Sequence, residues 1–360
     1  MRRFTARAVV VLLVATAAPP LATQQAVAAS RIRAVAVATN LKVPAGFTFL
    51  PNGTLAYVEL HTGRINFRNL ETGVDRRIYR VPNVDADGTG GAIGLAVHPA
   101  WPARRVLYVF ATRNTRHGLR NQIVRVDLVT RRTRVILSAA ASPTAGHDGG
   151  RILFGPDGNL YVVIGDGGRS ANAQDLSRNL RGKILRIGAD GSRPSGNPFG
   201  SRVWAYGIRN SIGLAIDPLS GRLWQTDNGP ECNDEVNRIR MGGNHGWGPS
   251  AACPATNNSG PTPRVRPAHV FATAMGITGL AFCHGCGLGA GIEGDLFVAD
   301  FNGGRIRRFA LNGTRTGFAA GPVTVIDYPF PVATLSIEVA PDGRMYFSTG
   351  AKIFRLVRTP

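Results

Sequence analysis

The sequence predicts an all-β fold, a six-bladed β-propeller, and three observations carry that prediction. A turn-plus-strand unit recurs six times along the 360 residues, a second strand commonly follows it, and no amphipathic helical pattern reads between the copies. A β-sandwich would not repeat in this way, and an α/β fold would need the helices.

The copies run in order along the chain. The first is Pro51-Asn52-Gly53-Thr54-Leu55-Ala56-Tyr57-Val58, followed by a second strand at Gly63-Arg64-Ile65-Asn66-Phe67. A weaker one begins at Pro99 and leads to Val106-Leu107-Tyr108-Val109. The third is Pro156-Asp157-Gly158-Asn159-Leu160-Tyr161-Val162-Val163, and the fourth begins at Pro218 and leads to Leu223-Trp224. The fifth lacks its proline: Gly294-Asp295-Leu296-Phe297-Val298-Ala299, with Gly304-Arg305-Ile306-Arg307-Arg308-Phe309 behind it. The sixth is Pro341-Asp342-Gly343-Arg344-Met345-Tyr346-Phe347. The turn chemistry is that of a tight hairpin: proline presets φ, Asp or Asn caps the turn, and glycine accepts positive φ. Aromatic and β-branched residues then fill the pleat of the returning strand.

Each blade needs a neighbour on both sides, so the ring must close. The segment around residues 32–38 is expected to pair with the last strand near residues 352–357. One domain from residue 30 to residue 360 is expected, with the irregular stretch 244–267 as a long functional loop between blades.

Residues 1–29 stand outside this pattern. Arg2, Arg3 and Arg7 precede an apolar run from Ala8, and Ala26-Val27-Ala28 is a small-x-small cleavage site, so the segment reads as a secretory signal peptide. Pro19-Pro20 interrupts the apolar run, which argues against a transmembrane anchor. A secreted or periplasmic protein is expected. The formal charge of +20, less those three signal arginines, leaves +17, and only Lys42, Lys183 and Lys352 are lysines. No basic run and no recognisable module suggests a nucleic-acid partner. Four cysteines in an exported chain suggest disulfides, and four allow three connectivities. Cys232 with Cys253 and Cys283 with Cys286 is the expected pairing, since Gly287 stands where a haem-attachment histidine would follow and no zinc partners are evident.

The chemistry concentrates between His147 and Trp247. His147-Asp148-Gly149-Gly150-Arg151 opens a repeat that returns at Gly165-Asp166-Gly167-Gly168, which brings a carboxylate beside an imidazole. Gly182-Lys183-Ile184-Leu185-Arg186-Ile187, Ala205-Tyr206-Gly207-Ile208-Arg209-Asn210 and Asp227-Asn228-Gly229-Pro230-Glu231-Cys232-Asn233-Asp234-Glu235 follow. In order and spacing these resemble the soluble PQQ-dependent aldose sugar dehydrogenases, the glucose/sorbosone dehydrogenase family, which use pyrroloquinoline quinone (PQQ) and calcium on a six-bladed propeller.

The resemblance implies roles. His147 would be the base that takes the sugar C1 hydroxyl proton, oriented by Asp166; the rival role for Asp166 is a turn cap. Arg209 and Asn210 would contact the quinone, with Arg209 stabilising oxyanion character; the rival for Arg209 is an internal pair with a carboxylate such as Asp217. The carbonyls of Gly229 and Pro230 would hold the PQQ-bound calcium, and Glu235 a second calcium site completed near Asn244-His245-Gly246-Trp247. The substrate would be an aldose, the product its lactone, and the electron acceptor is not named by the sequence.

The cofactor clamp departs from the family. Thr89 stands in Gly88-Thr89-Gly90-Gly91 where a Gln or Glu is usual, Asn302 where a lysine often stands, and Ala333-Thr334-Leu335 where an Arg-x-Arg pair often stands. Each charge-assisted bond forgone to a PQQ carboxylate is worth about 1.5–3 kcal/mol. Arg305, three residues beyond Asn302, is the candidate substitute. The alternative function is therefore a calcium-binding propeller without PQQ activity, acting as a ligand-binding protein or a lactone hydrolase.

Overall fold

The computed structural model describes residues 32–144, 146–177, 179–249, 253, 260–327 and 333–359. The expected signal peptide at residues 1–29 lies outside them. The strands form six four-stranded antiparallel sheets, arranged as the blades of a propeller. Blades one to five run along the chain at residues 44–80, 92–140, 152–206, 213–273 and 277–327. The sixth takes three strands from residues 334–358 and its outermost strand, Ile32–Ala38, from the start of the described chain. Its register runs from Ile32 opposite Arg358 to Ala38 opposite Ile353, the ring closure that the sequence predicted. The six turn-plus-strand units all mark the second strand of a blade: Leu55–Glu59, Val106–Thr115, Leu160–Ile164, Leu223–Asp227, Leu296–Asp300 and Met345–Thr349.

The hydrophobic core is likewise a ring. Among the described residues, six clusters of buried side chains each straddle one blade–blade interface. Tyr108 and Phe110 of the second blade meet Leu160 and Val162 of the third, and Phe47 and Tyr57 of the first meet Tyr346 of the sixth. Near the axis the innermost strands crowd together. A Cβ on Gly46, Gly94, Gly213 or Gly279 would run into the backbone of the next blade, which leaves glycine as the residue that fits.

One expectation is corrected. The stretch 244–267 does not connect two blades: it joins the third and fourth strands of the fourth blade, Cys232–Arg238 and His269–Thr273. Those two strands pair directly, so the chain between them must leave the sheet and return. It leans on the third blade, where Asn244 bridges Tyr206, and it is tied to its own blade by the Cys232–Cys253 disulfide. The second bridge is Cys283–Cys286, so the expected pairing holds and no cysteine is free.

Candidate active site

Every blade begins its innermost strand on one face of the ring, and that face opens into a cavity of about 620 Å³ on the axis. Its wall includes Thr89, Arg151, Arg209, Asn210, the run Asn228-Gly229-Pro230 and Asp234. Asn302, Ala333 and Leu335 also line it. At this size it could hold a drug-sized ligand.

His147 and Asp166 do not line this cavity; they adjoin it through Arg209, whose carbonyl accepts the Asp166 N–H. His147 Nδ1 lies 2.7 Å from Asp166 Oδ1. Asp166 is 1% exposed, and its carboxylate also accepts the Gly168 N–H at 2.8 Å and Trp247 Nε1–H at 2.7 Å. A carboxylate can only accept, so Nδ1 carries the proton and Nε2 keeps the lone pair. The backbone locks the same unit: Gly167 N–H donates to the His147 carbonyl and Asp166 N–H to the Arg209 carbonyl. His147 holds φ at +62°, a conformation usually left to glycine.

Arg209 enters the cavity from the turn between the third and fourth blades. Its Nη1 donates to the carbonyls of Asn228 and Gly229, both at 2.9 Å, and its guanidinium lies 5.3 Å over the Trp247 ring. Asp217 is taken instead by Arg315, so the rival ion pair for Arg209 does not form. Burial lowers the proton affinity of Arg209, and Asp227, Asp166 and Asp234 oppose that shift. Asp227 is buried beneath, its carboxylate accepting the backbone N–H groups of Arg209 and Asn210, and burial pushes its pKa up to about 7.

The Asn228-Gly229-Pro230 turn is rigidly held. Gly229 N–H donates to Asp234 Oδ1 at 2.9 Å, while Asp234 Oδ2 accepts from Met275 and Gly276. Asn228 Nδ2 donates to the carbonyls of Asn210 and Ile277. A Cβ on Gly229 would strike the Cys232 carbonyl. Carbonyl oxygens with no protonatable ligand among them suit a hard cation such as calcium. Glu235 does not line this cavity; it is 2% exposed and accepts Asn237 Nδ2–H at 3.0 Å inside the fourth blade. Among the described residues, the one group of three or more His, Cys, Asp or Glu at metal-ligand spacing is Cys283, Cys286 and Glu293, and its two cysteines are already bonded to each other.

Three buried polar atoms at the cavity have no protein partner: Arg209 Nε, Asn210 Oδ1 and Asn228 Oδ1. Buried polar groups are normally satisfied, so this trio asks for a polar ligand. On that ground the residues fit a polar, anionic ligand such as PQQ; the Gly229 carbonyl, which already accepts from Arg209 Nη1, would have only its second lone pair for a calcium ion. Asn302 lines the cavity but is neutral, whereas Arg305 does not line it and pairs with Asp327 at 3.0 Å near the surface. A second cavity guanidinium is Arg151, which is 4% exposed, donates to the Ile212 carbonyl and lies 4.0 Å from Glu338. Sequence reasoning gave no role to Arg151 or Trp247, although both stand in the quoted motifs. The signal for Arg151 was a charged residue straight after a glycine pair, at the mouth of an inner strand.

A closed six-bladed ring whose axial cavity sets two guanidiniums and an Asn-Gly-Pro turn into a largely apolar wall defines the class: a propeller with a site on its axis. Residues 41–358 match the Glucose / Sorbosone dehydrogenase family, and the chain belongs to it. A crystal structure from Thermus thermophilus, described as a putative oxidoreductase (glucose dehydrogenase), is 32% identical with a TM-score of 0.79, covering 91% of this chain and 100% of that one. The PQQ-bound aldose sugar dehydrogenase of Streptomyces coelicolor is 27% identical with a TM-score of 0.78, covering 92% and 98%. The quinoprotein glucose dehydrogenase B of Acinetobacter calcoaceticus is 33% identical over 245 residues, 59% of this chain and 51% of the relative. The chain spans between half and three-fifths of the length of the curated relatives it matches first.

Proposed function

We propose that the protein is an exported, calcium- and PQQ-dependent dehydrogenase that oxidises the C1 hydroxyl of aldose sugars to the lactone. The observation that carries this reading is the trio of partnerless buried atoms on Arg209, Asn210 and Asn228, three residues of the cavity wall next to the His147–Asp166 pair. Family membership and the PQQ-bound relative support it. When bound, PQQ supplies a two-electron acceptor, and calcium polarises it.

The chain's own residues do the rest. Asp166 fixes the His147 tautomer, so Nε2 is the base that takes the C1 hydroxyl proton as the carbonyl forms. Arg209 and Arg151 present the two guanidiniums of the cavity to an anionic ligand, and Arg209 is held in place by two carbonyls and an aromatic face. Gly229 and Pro230 would give carbonyl oxygens to calcium, and Glu235 would serve a separate cation inside the blade. A second reading, a calcium-binding propeller that takes another ligand, draws on the neutral side chains Thr89, Asn302, Ala333 and Leu335 in the wall.

Titration of PQQ and calcium into the purified protein decides between them. Stoichiometric quinone absorbance with aldose-dependent dye reduction is the expected result. No bound quinone, or bound quinone with no aldose oxidation, would overturn the dehydrogenase reading.

A further inference from the structure

A second cavity of about 240 Å³, on the outer part of the ring between the second and third blades, belongs to none of this chemistry. It is lined by His98, Arg104, Tyr108, Arg125, Arg134, Ala189 and Asp190. We propose that it is a binding subsite for a phosphate or sulfate group, with Arg104, Arg125 and Arg134 as its ligands. This goes beyond the funnel and does not depend on what the funnel binds.

Topology puts the subsite on the face opposite the funnel. Inner strands start at the funnel, so a blade's far face carries the end of its first strand, the start of its second, the end of its third and the start of its fourth. His98 follows the first strand Ala92–Val97, and Arg104 and Tyr108 flank the start of the second, Val106–Thr115. Arg125 is near the end of the third, Gly118–Asp127, and Arg134 near the start of the fourth, Thr133–Ala140. Ala189-Asp190 follows Lys183–Ile187, the third strand of the next blade.

The lining offers donors and little to neutralise them. Three guanidiniums face one lining carboxylate, Asp190, and that group already accepts the backbone and hydroxyl hydrogens of Ser192. Among the described residues, Arg104 and Arg134 have no carboxylate at ion-pair distance, and Arg125 meets Asp127 only at 3.5 Å. His98 Nδ1 accepts the Ala100 N–H at 3.0 Å, so the neutral ring carries its hydrogen on Nε2. Burial, then the fields of Arg104 and Arg125, hold His98 to the neutral side. The floor is rigid: Tyr108 is fully buried, donates to the Ala189 carbonyl at 3.0 Å and packs edge-on against Phe154. A donor-lined hollow with a surplus of positive charge selects a ligand that only accepts. Planar guanidinium forks match the oxygens of a phosphate or sulfate, and the volume leaves room for the first carbons of an ester.

The test uses the full-length protein with inorganic phosphate and sulfate as probes, chloride at equal ionic strength as the control, and calorimetry as the readout. Wild type should bind both oxyanions above the chloride background. Arg104→Gln with Arg134→Gln should weaken binding about tenfold or more while leaving the thermal midpoint in chloride unchanged. Asp190→Asn, which removes the one repelling carboxylate, should tighten it. Co-sedimentation with phosphatidylglycerol and phosphatidylcholine vesicles separates the sources. Loss of vesicle binding in the double variant assigns a lipid headgroup, and loss of phosphate binding alone assigns a soluble ester. The proposal fails if wild type binds no better than chloride allows, or if wild type and the double variant respond alike.

Discussion

His147 keeps a positive φ that costs a non-glycine residue about 1–2 kcal/mol, and the structure holds it there with the Gly167 N–H on its carbonyl and Asp166 on its ring. Strain at such a residue is tolerated where the ring must point one way. Two substitutions separate the chemistry from the strain. His147→Ala and His147→Gly should both lower aldose turnover of the PQQ-loaded protein by about 10²–10⁴-fold, the usual cost of a lost general base. His147→Gly should be more stable than His147→Ala by about 1 kcal/mol in urea unfolding, because glycine relieves the positive φ. Equal turnover in wild type and variants would remove His147 from the mechanism. Asp166→Asn tests the orienting role: kcat should fall and the pH–rate profile shift, with the fold retained. At this scale the sequence was legible where function is local. His147, Asp166, Arg209 and Asn210 lie at strand ends that one repeat brings back to the funnel. Trp247 was not legible, because its hold on Asp166 spans 81 residues and crosses from one blade to another.

Among the elements, the turn Asn228-Gly229-Pro230 is fixed at both sides, by Asp234 and by the strand that starts at Cys232. The Cys232–Cys253 bridge ties the long excursion of the fourth blade back to that strand. Cys232→Ser with Cys253→Ser should therefore cost about 3 kcal/mol of stability, the loop entropy expected for a crosslink of this separation. If calcium sits on the Gly229 turn as proposed, the change should also weaken its binding, since Cys232 lies against that turn; a chelator should then lower the thermal midpoint of the wild type more than that of the variant. Equal chelator shifts would uncouple the bridge from the turn. The blade repeat was readable because hairpin chemistry is written in four or five adjacent residues, as at Pro156-Asp157-Gly158-Asn159. The excursion at 244–267 was misplaced for the converse reason. Nothing local in His269–Thr273 says that it pairs with Cys232–Arg238 rather than opening a new sheet.

For the molecule as a whole, the axis joins two openings. Arg151 lines the funnel cavity, and Glu338 lines another cavity of about 430 Å³ at the opposite mouth, so their 4.0 Å pair stands between the two. Glu338 is partly buried, with 31% of its side-chain surface exposed. Burial pushes its pKa up to about 7, with Arg151 pulling the other way. A carboxyl whose folded pKa lies above its unfolded value adds stability below the unfolded value, near 4.5, and loses it as pH rises through about 7. Lys183 has the opposite sign. It is fully buried, donates to the carbonyls of Asn172, Ala173 and Arg181, and burial lowers its pKa to about 7. Its contribution is present above the unfolded value of 10.5 and lost as pH falls through about 7. The two windows do not overlap, so a single variant isolates one of them. Glu338→Gln imitates the protonated acid: it should match wild type below about pH 4, gain on it between the unfolded value of 4.5 and about 7, and keep a constant lead above that. Urea midpoints across that range check the slope. Parallel curves for wild type and variant would mean that Glu338 is ionised throughout, and that Arg151 neutralises the axis more fully than a 4.0 Å separation implies.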